Sequence, residues 1–264
     1  MLAHTTAEFV KRACVAGIDR SAILARAHLT EAQLADRDGR VPLESMYRVL
    51  EGMEALSGDR FLHLRVTPEL DFGSLDALAF LVMTSPTLGA GLDAMVRYQR
   101  VWNDGERYDI ERTTEWAKLI YRPWGPRRRA HTLIAEMFVA DMTVNAAAMT
   151  GGPFSRAHAR FVDAAPKDRA TFARLTAGID AVFGCAHDEL WIGLSDLDRP
   201  VAPEGHEAMF AFFQRHLEEQ VRSLPSEGVA AQTRDLMLRR PTLEPSVENV
   251  AHASTQAPAM QLTS

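Results

Sequence analysis

Residues 72–105 read FGSLDALAFLVMTSPTLGAGLDAMVRYQRVWNDG, and the reading of this stretch decides the fold. It predicts two apolar helices joined by Ser85-Pro86-Thr87. Pro86 has no amide hydrogen to continue a helix, and it pushes Ser85 out of the helical region. Thr87 then stands where an N-cap belongs, its hydroxyl available to the amides of the next turn. Leu88, Leu92, Met95 and Val96 follow at helical spacing, so the second helix buries one face. Asn103-Asp104-Gly105 ends it as a turn.

Beyond that turn the period changes from helical to two. Tyr108 and Ile110 alternate with Asp109 and Glu111. Ala117, Leu119 and Tyr121 alternate again after the polar break Thr113-Thr114-Glu115, which predicts an antiparallel hairpin. A long helix over about 130–150 is apolar nearly all round (Leu133, Ile134, Met137, Phe138, Val139, Met142, Val144), as expected of a mostly buried helix, and Gly151-Gly152-Pro153 stops it. Ala157, Ala159 and Phe161 give a third strand. Asp168 opens a helix that ends near Gly178, and 180–183 and 189–194 read as short strands.

On the N-terminal side, Thr5-Thr6-Ala7-Glu8 and Thr30-Glu31-Ala32-Gln33 have the form of capping boxes. They predict helices from Thr5 to about Ala16 and from Thr30, with a short helix between them through Ala27. Pro42 suits a first helical turn, and Leu43, Met46, Leu50, Met53 and Leu56 line one face as far as Gly58. His206–Leu224 is a last helix, striped by Met209, Phe210, Phe213, Leu217 and Val221. The fold class expected is α+β: an N-terminal helical subdomain packed on a small, mainly antiparallel sheet with flanking helices.

The string Phe72, Gly73, Ser85, Thr87, Leu88, Arg97, Tyr98 resembles the hallmark segment of AraC-type transcription regulators, in the subgroup whose N-terminal effector domain is called arabinose-binding. The AGID…L…RVPL pattern of 16–43 is similar to the start of that domain. Phe161, Pro166, Phe172, Leu175, Val182, Phe183 and Leu190 resemble its second hallmark, and Leu197, Pro200 and Val201 its exit. The resemblance covers about residues 5–251. It implies an effector-binding and dimerisation domain over 1–224, with the 206–224 helix (Met209, Phe210, Phe213, Leu217) as dimer surface. Pro225-Ser226-Glu227-Gly228 reads as a linker. A short helix over 233–240 follows, and Pro245–Ala251 resembles the first helix of a helix-turn-helix whose recognition helix is not in the sequence. Residues 225–264 are therefore expected to be a linker and an incomplete stub of a DNA-binding domain. DNA would be gripped only very weakly, or through a complete relative. The alternative is a stand-alone small-molecule-binding protein, or a partner subunit of a full-length regulator.

Composition sets outer limits. The 264 residues are 47% hydrophobic and 24% charged, ordinary for a globular chain of one large domain or two small ones. No apolar run reaches the roughly 20 residues of a membrane span. Met1-Leu2-Ala3-His4 lacks a basic n-region, so a cytoplasmic protein without membrane partners is expected. The net charge of −6 gives no support to direct nucleic-acid binding. Cys14 and Cys185 are expected to be reduced, small core residues.

For chemistry, Cys185-Ala186-His187 lacks the second ligand pair a zinc site needs, and no metal or cofactor is expected. No nucleophile elbow, phosphate-cradling glycine loop or H-E-x-x-H is present, so no enzyme is expected. Tyr98, Trp102, Trp116, Tyr121 and Trp124 cluster around the hairpin and its entry helix. Aromatic walls of that kind suit either a small-molecule pocket or ordinary packing. Arg127 opens the triplet Arg127-Arg128-Arg129 at a helix N-terminus, where an anion contact or a solvated basic turn are both open readings. Glu136 on the buried helix needs a partner: a cationic effector or an arginine of that triplet. These seven residues, Tyr98 to Glu136, are the expected effector-binding set.

Overall fold

The computed structural model describes residues 1–36, 39–67, 76–103, 105–201 and 206–224. Phe72 and Gly73 of the hallmark, Asp104 of the turn, and the linker, short helix and helix-turn-helix stub expected over 225–264 lie outside the described residues. The chain divides into two units, Met1–Val221 and Arg222–Ser264, and the first holds the sheet and the helices packed on it.

The N-terminal helices are α1 (Ala3–Val15), α2 (Arg20–Ala27), α3 (Glu31–Ala35), α4 (Leu43–Ser57) and α5 (Leu62–Val66). The sequence placed the start of α1 at Thr5; the helix begins two residues earlier, with Leu2 as its N-cap. The reason lies outside the helix. Leu2 bridges Arg40 and donates its amide to the Trp102 carbonyl at 2.8 Å, so tertiary pairing fixes where the extended chain ends. The Thr30 capping box forms as expected: Thr30 accepts from the Gln33 amide while the Gln33 side chain reaches back. Gly17 takes the positive φ, 91°, that lets the chain leave α1. These helices share one core, in which Val10, Ile23, Val49, Leu50 and Met53 are fully buried.

Helices α6 (Ala77–Met83) and α7 (Leu88–Tyr98) form the hallmark pair. Thr87 caps α7 by accepting from the Ala90 amide at 3.2 Å. Ser85 is fully buried and its hydroxyl reaches the Val82 and Thr87 carbonyls, closing the turn. Gly91 is the residue that lets this turn sit against α7, since a Cβ there would fall 2.7 Å from the Ser85 hydroxyl.

The sheet contains β1 (Arg107–Arg112), β2 (Trp116–Arg122), β3 (Ala157–Phe161), β4 (Asp180–Phe183) and β5 (Asp188–Gly193), in the order β1-β2-β5-β3-β4. All pairings are antiparallel except β3 with β4, which are joined by a crossover through α9 (Arg169–Leu175). Ala117, Leu119 and Tyr121 of β2 share the buried face with Ala159 and Phe161 of β3 and Leu190 and Ile192 of β5. Between β2 and β3 runs α8 (Arg129–Met149), and after β5 come the short α10 (Leu194–Leu197) and α11 (Glu207–Ser223). The fold is α+β, as the sequence indicated.

Helix α8 is long and apolar enough to cross a membrane by length and composition, yet 61% of its apolar window is buried inside the protein. Leu133 belongs to the core of the N-terminal helices, whereas Ala135, Val139 and Ala140 belong to the sheet core. It is a core helix shared by two layers. Cys14 and Cys185 are both free thiols and half-buried; Cys14 packs against the N-terminal core, whereas Cys185 lies in the turn before β5 and not in a core as expected. Leu119, on β2 between β1 and β5, has no exposed surface. Leu119→Ala should cost about 2–5 kcal/mol of stability, measured by urea unfolding followed by circular dichroism.

Candidate functional site

A cavity of about 300 Å³ lies within this unit, lined from both layers. Thr5, Phe9 and Arg12 come from α1, Met46 and Leu50 from α4, and Met95 from α7. Ile134, Met137, Phe138, Asp141 and Met142 come from α8. The walls are mostly apolar, and five methionines counting Met1 give them adaptable thioether surfaces.

Two carboxyl groups interrupt this lining. Glu106 is placed by a turn in which the buried Asn103 side chain accepts from the Gly105 and Glu106 amides at 2.9 and 2.7 Å. It is 3% exposed, and its carboxyl accepts from the Tyr121 hydroxyl. Burial pushes it up to about 7, against the pull of the Tyr121 and Tyr47 hydroxyls and the N-terminal amine. Asp141 ends the regular part of α8, just before a π turn over Met142–Ala146. Its side chain has open space before it on the cavity side, yet protein surrounds it; burial raises it, opposed by Asn145 and the Arg12 charge. Asn145 Nδ2 donates to Asp141 Oδ1 at 2.8 Å across the π turn. Arg12 donates to the Val66 carbonyl at 2.6 Å.

The seven residues singled out from sequence do not converge on one place. Trp102 lines the cavity, and its indole nitrogen donates to Asp76, the N-cap of α6. Tyr121 stands behind the wall, joined to it through Glu106. Tyr98 is buried against α11, its hydroxyl donating to Glu218 at 3.1 Å. Trp116 lies on the outer face of the sheet, edge-on to His158 at 5.0 Å and under Arg156. Trp124 and Arg127 line a separate hollow beside Glu44 and Glu51.

The arginine triplet is a set of ties. Arg127 pairs with Asp188 at 2.7 Å, Arg128 pairs with Glu51 through two nitrogens, and Arg129 grips Glu54 the same way. Glu136 takes a forked pair from Arg60 at 2.9 and 2.6 Å and a bond from His63 Nε2 at 2.8 Å. Burial pushes the Glu136 carboxyl up, but His63 and Arg60 outweigh it and hold it below the ordinary value. Among the described residues no group of three or more His, Cys, Asp or Glu could hold a metal ion.

Sequence reasoning missed Thr5, Phe9, Arg12, Met46, Met137, Glu106 and Asp141 as cavity residues. Two signals were available: an aspartate inside a mostly apolar helix, and 11 methionines in one chain.

The pH behaviour of Glu106 follows from its burial. The unfolded group titrates near 4.5 and the folded one near 7. Between those values the folded chain holds a proton that the unfolded chain has released, so stability falls as pH rises through this window. Glu106→Gln should therefore lose less stability than the unaltered protein between about pH 5 and pH 8, by up to about 3 kcal/mol. Urea unfolding at the two pH values measures it.

Residues 17–201 match the model of the arabinose-binding N-terminal domain of AraC transcription regulators. The chain is 24% identical over 238 residues to the ornithine utilization regulator of Pseudomonas aeruginosa, covering 89% of this chain and 69% of that protein. Among solved structures it is similar to the transcriptional regulator CdpR from Pseudomonas aeruginosa, with 13% identity, a TM-score of 0.49, and coverage of 88% of this chain and 72% of that one. With its helical layer, sheet and most of its length inside that domain's pattern, the chain belongs to the AraC-type transcription regulators and carries their arabinose-binding N-terminal domain.

Proposed function

We propose that the 1–224 region is the sensor of a transcription regulator, and that the cavity between the N-terminal helices and the sheet layer is its effector site. The observation that carries this is the lining: α1 and α4 on one side, α7 and the sheet's entry strand on another, and α8 running through both cores. A molecule filling that space touches both layers at once. It would therefore prefer one relative arrangement of them, and that preference is what shifts a two-state equilibrium. The family match and the regulator relative support a binding role over turnover, and a cytoplasmic location. DNA contact belongs to the regulator role at family level.

A thermal-shift screen with amino acids (ornithine among them, given the relative's name), sugars, short acids and fatty acids tests the reading. A true effector at a hundred times its Kd adds about 2.7 kcal/mol. That raises Tm by roughly 5–10 °C for a domain of this size. Met137→Trp, which places an indole in the cavity, should abolish the shift. A shift unchanged in that variant would place the ligand elsewhere.

Dimerisation is proposed through α11. Phe210, Phe213 and Leu217 pack inward against the α6–α7 pair, Phe213 stacking on Phe80 at 5.4 Å, whereas Met209 and Phe212 are 45% and 55% exposed. Phe212→Glu should turn a dimer into a monomer in light scattering with Tm little changed; a persisting dimer would move the interface off this helix.

A further inference from the structure

Asp141 and Glu106 stand in a mostly apolar lining that also holds Arg12, Thr5 and Asn103, and the hydrogen bonds that reach their carboxyls come from neutral groups, Asn145 and Tyr121. Arg12 donates to the Val66 carbonyl at 2.6 Å and the Met1 amine to the Val41 carbonyl at 3.3 Å; their charges act on Asp141 and Glu106 through space, and among the described residues no ion pair reaches either carboxyl. Asp141 is exposed toward the cavity, so water solvates its carboxylate while the cavity is empty. A ligand that fills the space strips that water away, which is costly unless the ligand brings a cation of its own. An incoming ammonium is the group that relieves the cost, and a charge-assisted bond formed there is stronger than a neutral one. Glu106 is closed off by Tyr121 and almost fully buried, while Asp141 opens onto the cavity and has one carboxylate oxygen beyond its bond to Asn145.

Resting on the reading of this cavity as the effector site, we propose that the effector is an organic cation: a primary amine with an apolar body, its ammonium paired with Asp141. The body lies against Met46, Met137 and Met142, whose unbranched, flexible thioethers fit chains of differing shape. The rings of Trp102, Tyr108 and Phe138 stand in the same lining and favour a cation over an anion nearby. Glu106, in the same lining but closed off by Tyr121, adds negative potential.

The test is calorimetric titration of the full chain with hexylamine, hexan-1-ol and hexanoate, three probes of one chain length and different charge. It is run at about pH 8, above the Glu106 value of about 7. Hexylamine should bind about tenfold or more tighter than either of the others, as a charge-assisted bond implies. Asp141→Asn should remove that preference and leave hexanol affinity within about twofold, since the variant keeps shape and loses only charge. Hexanol or hexanoate binding as tightly as hexylamine to the unaltered protein overturns the cationic class and leaves the cavity as a binding site. A preference that survives in Asp141→Asn overturns the role of Asp141. Binding of none of the three, or binding unaffected by Met137→Trp, overturns the cavity reading itself. If Asp141→Asn folds poorly, the three-probe comparison on the unaltered protein still decides the ligand class.

Discussion

Helix α8 must satisfy two hydrophobic layers at once, and the rest of the domain is arranged around that demand. Its Leu133 side closes the N-terminal helical core, and its Ala135 and Val139 side closes the core under the sheet. Apolar burial alone leaves a helix free to slide or rotate between two greasy surfaces, because it is non-directional. Direction comes from ion pairs. Arg128 and Arg129, unfavourable at a helix N-terminus, are neutralised by Glu51 and Glu54 of α4. About two turns further on, Glu136 points the other sign of charge toward Arg60 and His63. A forked arginine–carboxylate pair is satisfied at one orientation, so these contacts set the register of α8 against α4.

The cavity follows from the same arrangement. Where α8 faces α1 and α4 past Leu133, the two layers diverge, and methionines fill part of the gap. The π turn at Met142–Ala146 comes where this lining ends, and it re-aims the side chains around Asp141. Flexible side chains on a rigidly tied helix make a site that adapts to its occupant while transmitting the occupant's bulk to both layers.

What could be read from the sequence was local. Period two in 108–121 marks a hairpin because strand side chains alternate, and a cap such as Thr30 or Thr87 acts within one turn. The all-round apolar pattern of α8 announced a buried helix. The start of α1 was misplaced because it is set by the Leu2–Trp102 bond across the fold, not by the Thr5 pattern. The partners of Arg128, Arg129 and Glu136 stand some 75 residues away on α4 and near α5, beyond any spacing rule. A cavity is harder still, being space left over when four helices and a strand meet. Aromatic residues pointed to the hairpin region, yet Trp116 faces outward and Tyr98 faces α11, since clustering along a chain does not say which side of a strand or helix meets the gap.

The strand order has a consequence for how the chain is made. β5 lies between β2 and β3, so the middle of the sheet is the last strand synthesised. Until residues 188–193 leave the ribosome, β2 has its hairpin partner on one edge only, and β3 has no antiparallel neighbour. The nascent chain thus carries open strand edges and the uncovered apolar side of α8 together, a combination prone to association. Insertion of one late strand then joins the two halves, so closing those edges waits on residues 188–193.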